Sequence, residues 1–199
     1  MTQTTKRRLT ADERRQDVLD AACRVFAALS YRGATTAEIA RESGISEPIL
    51  YRHFGSKRDL YLACLDETWR TFRIEAESLI TEDPQGCLGR IADKYMAHQA
   101  RIRLIDLWIQ ALTVAPEDEV IADALRNQIR EVHDFFADVI RSGQKLGEVL
   151  ADRDPVAEAW LFLAGGLLAT VDDRLGGLLG DDLQRVRAER RRWMLGETA

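Results

Sequence analysis

The stretch of sequence that decides the fold is TTAEIARESGISEPILYRHFGSK, residues 35–57. Thr35 and Glu38 are three residues apart, so each side chain can cap the backbone amide of the other and begin a helix. Gly44 lies where that helix must end, because glycine adopts the left-handed conformation of a helix stop without steric cost. Ser46 is the expected N-cap of a second helix, and Pro48 is tolerated in its first turn. The stretch predicts two short helices joined by a tight turn.

The side chains of this stretch indicate what the two helices do. Ala40 is small where the helices cross, and apolar residues fill the wedge between them: Ile39, Ile45, Leu50 and Phe54. Polar side chains cluster on the second helix and just beyond it: Tyr51, Arg52, His53 and Lys57. An ordinary helical hairpin is the alternative, but it does not need such a cluster. We therefore favour a helix-turn-helix whose second helix enters the major groove of DNA.

The strings TTAEIARESGIS and LYRHFGSKRDLY together resemble the DNA-binding domain of the tetracycline-repressor (TetR) family of bacterial transcriptional regulators, and the resemblance covers about residues 18–62. It implies DNA contacts by a defined set of residues: Thr35, Thr36, Ser46, Glu47, Pro48, Tyr51, Arg52, His53 and Lys57. Within this set we expect Arg52 to read guanine and Glu47 to accept a hydrogen bond from cytosine, although Glu47 could equally stabilise the helix N-terminus. Glu47 and Ile49 depart from the small or amide-bearing residues common in the family, so the recognised base sequence cannot be inferred from relatives.

The distribution of charge agrees with a DNA-binding N-terminus. The whole chain of 199 residues is acidic, with a net charge of −5. Residues 1–60 nevertheless hold 11 Lys and Arg against 8 Asp and Glu, while the remainder holds 17 against 25. The basic excess therefore lies in the N-terminal part. Lys6, Arg7 and Arg8 could form an arm that reaches phosphates or the minor groove, or a solubilising tail.

Hydrophobic residues recur with a period near 3.6 along the rest of the chain, which predicts an all-α fold. A first helix is capped by Thr10 and Glu13 and ends near Gly33, and a long helix begins at Ser56 and ends before Pro84. Further helices are expected at residues 88–100, 102–114 and 116–143 and in two final segments that begin near residues 155 and 181. We predict an N-terminal three-helix helix-turn-helix DNA-binding domain at residues 1–55 and a C-terminal helical bundle for ligand binding and dimerisation at residues 56–199.

The helix that begins at Pro155 is apolar on more than one face, whereas a surface helix needs one apolar stripe. The second face either meets another subunit or is buried in the core of the monomer. The resemblance implies that the last two helices form a dimer interface. We therefore expect a homodimer whose interface contains Trp160, Leu163, Leu167, Val171, Val186 and Trp193.

Aromatic residues are frequent in the C-terminal half, where a regulator of this family would enclose its effector. We expect a small apolar effector molecule in a cavity lined by Phe72, Tyr95, Trp108, His133 and Phe136. Aromatic residues at helical spacing are more often core residues, so the packing alternative remains open for each of them.

Several functions are disfavoured by what the sequence lacks. It contains no GxSxG, Walker-type or HExxH motif and no Cys/His cluster, which predicts no enzyme, no metal and no cofactor. Its three cysteines form no CxxC pair and the N-terminus has no apolar core, so we expect a cytoplasmic protein without a signal peptide. The apolar run at residues 156–171 is short and contains Glu158, which argues against a membrane partner.

The resulting prediction is a ligand-responsive repressor that binds a palindromic operator in double-stranded DNA as a homodimer and is released by an effector. Two alternatives remain at this stage. One is a helical ligand-binding or protein-interaction module without specific DNA binding, and the other is an unrecognised enzyme built on the C-terminal helices.

Overall fold

The computed structural model describes residues 10–84, 86–96 and 98–196, with side chains throughout except at residues 88, 92, 95, 96 and 98–104. All regular secondary structure in this part of the chain is helical, which confirms the predicted all-α class. The helices are α1 (Ala11–Gly33), α2 (Thr36–Glu42), α3 (Glu47–His53), α4 (Lys57–Glu82), α5 (Cys87–Met96), α6 (His98–Val114), α7 (Glu119–Lys145), α8 (Pro155–Arg174) and α9 (Asp182–Leu195).

Local capping signals begin the N-terminal helices as predicted. Thr10 with Glu13 caps α1 and Thr35 with Glu38 caps α2, and in both cases each side chain binds the other residue's backbone N–H. Gly44 has a φ of +66°, which is the left-handed conformation expected at the turn after α2. These local contacts determine where the helices of the turn begin and where α2 ends.

The long helix α4 connects the helix-turn-helix to the bundle. Ser56 caps its first turn by accepting a hydrogen bond from the Asp59 N–H at 3.0 Å. The helix packs against α1, α6 and α7, and the Tyr61 hydroxyl donates to the carbonyl of Leu107 in α6 at 2.6 Å. One hydrophobic core therefore continues from the N-terminal helices into the bundle.

Helix boundaries in the middle of the chain differ from the predicted ones. Helix α5 ends at Met96 and α6 begins at His98, whereas the predicted helices span residues 88–100 and 102–114. Helix α7 begins only after Asp118, whose carboxylate caps it, and it continues past Gly143. Gly143 is buried within the helix, and Gly147, with a φ of +75°, supplies the left-handed residue after it.

The helix α8 is both apolar and long. Its 20 residues and its mean hydropathy of 1.3 would suit a membrane span by length and composition. In the fold it packs against α6 and α7 instead, and it carries two buried acidic residues with partners inside the chain. Glu158 accepts from the Trp193 indole N–H at 3.0 Å, and Asp172 accepts from the Leu179 N–H at 2.6 Å. These contacts fit a packing helix better than a lipid-facing one.

Candidate nucleic-acid interface

The outward face of α3 carries most of the residues predicted to contact DNA. Ser46, Pro48, Tyr51 and Arg52 are exposed there, and Glu47 and His53 are partly buried. Ser46 occupies the predicted N-cap position, but its side chain makes no capping hydrogen bond. The exposed hydroxyl of Ser46 therefore adds a polar group to this face.

The two threonines at the start of α2 are already engaged within the protein. The Thr35 hydroxyl lies 2.8 Å from the Glu38 carboxylate as part of the capping box. Thr36 is buried, and its hydroxyl donates to the Glu47 carboxylate and lies 3.2 Å from the Tyr51 hydroxyl. Sequence reasoning missed this cluster, because no local spacing rule relates residues 36 and 47 across the turn.

Lys57 lies beside the helix-turn-helix and is held by an aromatic ring. Its Nζ is 4.9 Å from the centroid of the Tyr31 ring, a cation–π distance. Burial lowers the pKa of Lys57. The contact with Tyr31 orients the ammonium group at the beginning of α4, close in sequence to the exposed face of α3.

The residues predicted to line an effector cavity are tightly packed. Phe72 and Phe136 are buried, and their ring centroids are 6.1 Å apart. The ring centroids of Phe136 and Phe162 are 4.2 Å apart. The Trp108 indole N–H donates to Gln128 Oε1 at 2.6 Å, which identifies Gln128 as a buried polar residue that sequence reasoning overlooked. The side chain of the remaining predicted residue of α5, Tyr95, lies outside the described part of the chain.

His133 has a different environment from the other predicted cavity residues. Its Nε2 is 3.0 Å from the Val156 carbonyl, its Nδ1 is 2.9 Å from Asp134 Oδ1, and its ring stacks on Trp160 at 4.3 Å. Both ring nitrogens therefore have partners: the Nδ1 contact lies within α7, and the Nε2 contact joins α7 to α8. The structure places His133 against a predicted dimer residue, Trp160.

Exposed apolar residues are frequent on α8 and in the segment after it, and Val186 and Trp193 are exposed on α9. Five of the six predicted dimer residues are exposed on these helices: Trp160, Leu167, Val171, Val186 and Trp193. Other exposed apolar residues of this region were not among the predicted interface residues: Val156, Leu161, Leu168, Leu175 and Leu178. We call these ten residues the α8–α9 face.

Leu163 differs from the other predicted interface residues in its exposure. This side chain is only 7% exposed and belongs to the core of the chain, so it has little surface to offer a partner. Leu163 lies on the buried stripe of α8 with Ala159, Gly166 and Thr170, whereas Leu167 is 43% exposed. When a helix is apolar on several faces, its sequence does not reveal which face turns toward its own core.

A polar cluster attaches α9 to α8. The buried carboxylate of Glu158 pairs with Arg190 and accepts from the Trp193 indole, and the Arg153 guanidinium lies 3.7 Å from the centroid of the Trp193 ring. Burial lowers the pKa of Arg190, and the nearby positive charge of Arg153 lowers it further. Arg190 therefore has a structural partner and is not part of a freely solvated basic helix end.

A surface groove of about 320 Å³ lies between α1, α4 and α7. Its lining is mostly charged, in contrast to the apolar cavity predicted for an effector: Arg15, Leu19, Ala63, Asp66, Glu67, Trp69, Arg70, Arg73 and Glu131. Burial, followed by the nearby charge of Glu131, raises the pKa of Asp66. Within the described residues, no group of three or more His, Cys, Asp or Glu side chains is arranged to hold a metal ion.

Two family descriptions match separate parts of this chain. Residues 18–64 match "Bacterial regulatory proteins, tetR family". Residues 84–172 match "BetI-type transcriptional repressor, C-terminal". The first match contains α2, α3 and the beginning of α4, and the second contains α5, α6, α7 and most of α8.

Two relatives and one solved structure illustrate these similarities. The transcriptional activator FasR of Mycolicibacterium smegmatis is 52% identical over 58 residues, which is 29% of this chain and 26% of FasR. The transcriptional regulator BetI of Brucella anthropi is 29% identical over 123 residues, which is 60% of this chain and 63% of BetI. Both matches thus span less than two thirds of the relative's length.

The structural similarity covers nearly the whole chain. A transcriptional regulator from Saccharomonospora viridis, solved in complex with choline, has a TM-score of 0.70 and 24% identity, covering 90% of this chain and 94% of that one. At this level of identity the comparison shows a common fold.

Proposed function

Because the chain belongs to the TetR family of bacterial transcriptional regulators, we propose that it represses transcription by binding a palindromic operator as a homodimer and that a small molecule releases it. The observation that carries the DNA-binding part is the exposed polar face of α3. Ser46, Tyr51 and Arg52 are exposed on it, and Lys57 follows at the beginning of α4. A short helix with this face fits the major groove.

The α8–α9 face supports the homodimer. Its ten apolar side chains are exposed in the single chain, although exposed apolar residues on a soluble monomer are normally scattered. In such a dimer a two-fold axis would relate the two α3 helices. Half-sites centred about 34–36 Å apart, or a multiple of that distance, would then form a palindrome.

The helical bundle supports the effector part of the proposal. The similar regulator from Saccharomonospora viridis was solved in complex with choline, so a protein of this fold can bind a small molecule. Because the interior of the bundle around Phe72 and Phe136 is aromatic, an effector that opened a site there would be apolar. Such an effector would bind more tightly to a conformation in which the two α3 helices have a different spacing. The free energy of operator binding would weaken by the difference in effector binding between the two conformations, typically about 1–3 kcal/mol.

Repression is proposed in preference to activation because the C-terminal part resembles a BetI-type repressor over the longer stretch of sequence. FasR is an activator, so the relatives do not all regulate in the same direction. A regulator with these partners would act in the cytoplasm, where the DNA lies.

Selection of duplexes from a random pool tests the proposal directly. We expect a palindromic motif, binding by a dimer in sedimentation experiments, and a steep decrease in affinity with salt. A thermal-shift screen of apolar small molecules should then find ligands that raise the melting temperature and release the selected duplex. A pool that yields no motif would contradict operator binding, and ligands that stabilise the protein without changing DNA affinity would contradict release by an effector.

A further inference from the structure

Two cysteines face each other where α1 packs on α4. Cys23 of α1 is partly buried and Cys64 of α4 is fully buried. The Cys23 Sγ lies 4.0 Å from the carbonyl oxygen of Cys64. The Cys64 Sγ lies 3.8 Å from the carbonyl oxygen of Leu19, one helical turn before Cys23. Each thiol therefore lies against the turn of the opposite helix that carries the other cysteine.

The surroundings of the two thiols differ in a way that assigns them different roles. A hydrogen bond from the Cys64 thiol lowers the pKa of Cys23. Burial raises the pKa of Cys64. The thiolate is the reactive form of cysteine, and Cys23 is also the more accessible of the two. Cys23 is thus suited to react first with a small oxidant, and Cys64 is placed to react second.

We propose that Cys23 and Cys64 are a peroxide-sensitive pair that closes to an intramolecular disulfide. The Cys23 thiolate attacks one oxygen of hydrogen peroxide, so that an S–O bond forms, the O–O bond breaks and the departing hydroxide takes up a proton to become water. The Cys64 thiol then loses its proton and its sulfur attacks the Cys23 sulfur. The S–S bond forms, the S–O bond breaks and a second water leaves, so two thiols are oxidised and one peroxide is reduced.

The position of the pair gives the bond a consequence for DNA binding. Residues 24–63, between the two cysteines, include both helices of the helix-turn-helix. A disulfide sets the sulfur–sulfur distance at about 2.05 Å and the Cα–Cα distance at about 4.4–6.8 Å, so the bond fixes the spacing of α1 and α4 at this level. Because α2 packs on α1 and α3 leads into α4, fixing this spacing restricts the positions that the recognition helix can take. The effect on operator binding rests on the proposed function, whereas the chemistry of the pair does not.

Peptide mass spectrometry tests the chemistry in the full-length protein. The reduced protein is treated with hydrogen peroxide, alkylated without reductant and digested with trypsin. We expect a cross-link between the peptides of residues 16–24 and 59–70 in the wild type and in Cys87→Ser, whose substituted thiol lies in α5. The link should be absent in Cys23→Ser and in Cys64→Ala, and the latter should instead retain a sulfenic acid on Cys23 that dimedone traps. The absence of a cross-link in the wild type, or a cross-link that involves Cys87 or a second chain, would overturn the proposed Cys23–Cys64 disulfide.

A second measurement tests the effect on DNA and uses the duplex selected with reduced protein. Peroxide should weaken operator binding at least about 5-fold in the wild type and in Cys87→Ser, because a coupling of this size is typical between sites. It should leave Cys23→Ser and Cys64→Ala unchanged, with circular dichroism confirming that both variants are folded. A disulfide that forms without any change in operator binding would overturn the regulatory role but not the repressor function. If reduced protein selects no duplex, the proposed function fails, and the mass-spectrometric result still decides the chemistry.

Discussion

Thr36, the first residue of α2, donates a hydrogen bond from its hydroxyl to the carboxylate of Glu47, the first residue of α3. The two residues belong to different helices of the helix-turn-helix, so the bond ties the recognition helix to the helix that supports it. The Tyr51 hydroxyl lies 3.2 Å from the same Thr36 oxygen and completes the cluster. Glu47 was expected to read a base, yet this bond already engages one of its carboxylate oxygens. We therefore expect Glu47 to position Thr36 and Tyr51.

Replacement of Glu47 separates the two roles. Glu47→Gln keeps an acceptor for Thr36, so the motif selected from random duplexes should remain that of the wild type. Glu47→Ala removes the acceptor and should weaken all duplexes alike by roughly fivefold, since one hydrogen bond contributes about 1 kcal/mol. Duplex selection with both variants is the measurement. A changed preference at a single base pair in either variant would show that Glu47 reads that base.

Lys57 is expected to contact a DNA phosphate. Its ammonium group is oriented by the Tyr31 ring at the beginning of α4, and contacts of this kind position a protein without reading sequence. Lys57→Ala should weaken binding to every duplex and reduce the slope of log affinity against log salt by about 1. Lys145→Ala, at the exposed end of α7, removes the same charge elsewhere and serves as the control. Equal slopes for the two variants would exclude Lys57 from the DNA contacts.

The capping box of α2 predicts a pH dependence of stability. The hydrogen bond from the Thr35 hydroxyl holds the pKa of Glu38 below its ordinary value of 4.5, and the Thr35 N–H contributes in the same direction. A lowered pKa means that the folded state favours the carboxylate. Its stabilisation is complete above the ordinary pKa and is lost as the pH falls through the lowered one.

Glu38→Gln cannot titrate at this position. Its free energy of unfolding in urea should therefore fall less steeply than that of the wild type as the pH falls from the ordinary pKa of Glu38 through its lowered one. Thr35→Val, which removes the main hydrogen bond, should likewise make the free energy of unfolding depend less on pH over this range. A wild-type pH dependence in both variants would show that the capping box makes no contribution in acid.

Local and tertiary features of this fold differ in how far the sequence predicts them. Thr35, Glu38 and Gly44 act through neighbours within a few residues, so the beginning of α2 and the turn after it could be predicted from spacing alone. The Thr36–Glu47 bond and the Cys23–Cys64 contact depend on how two helices are rotated about their axes. Periodicity gives the faces of one helix but not its rotation against another. The placement of the candidate residues at the ends of α2 and along α3 could therefore be predicted, whereas the contacts among them could not.

Leu167 and Leu163 lie one turn apart on α8, yet the structure assigns them opposite environments. Leu167 is 43% exposed on the α8–α9 face and Leu163 is buried in the core. Leu167→Arg should therefore leave the fold of the single chain intact but place an unpaired charge in the proposed interface. We expect a folded monomer that loses operator binding by more than any single phosphate contact contributes, because two linked half-site contacts become one.

Sedimentation and circular dichroism read out this prediction together. Leu112→Arg is the matched control, because Leu112 is 52% exposed on α6, outside the α8–α9 face, and its substitution should leave the dimer and operator binding unchanged. Leu163→Ala should instead lower the free energy of unfolding by about 2–5 kcal/mol, as expected for a truncated core leucine. A Leu167→Arg protein that remains a dimer and binds its operator normally would remove the α8–α9 face from the interface. An unfolded Leu167→Arg chain would show that Leu167 supports the core of the monomer.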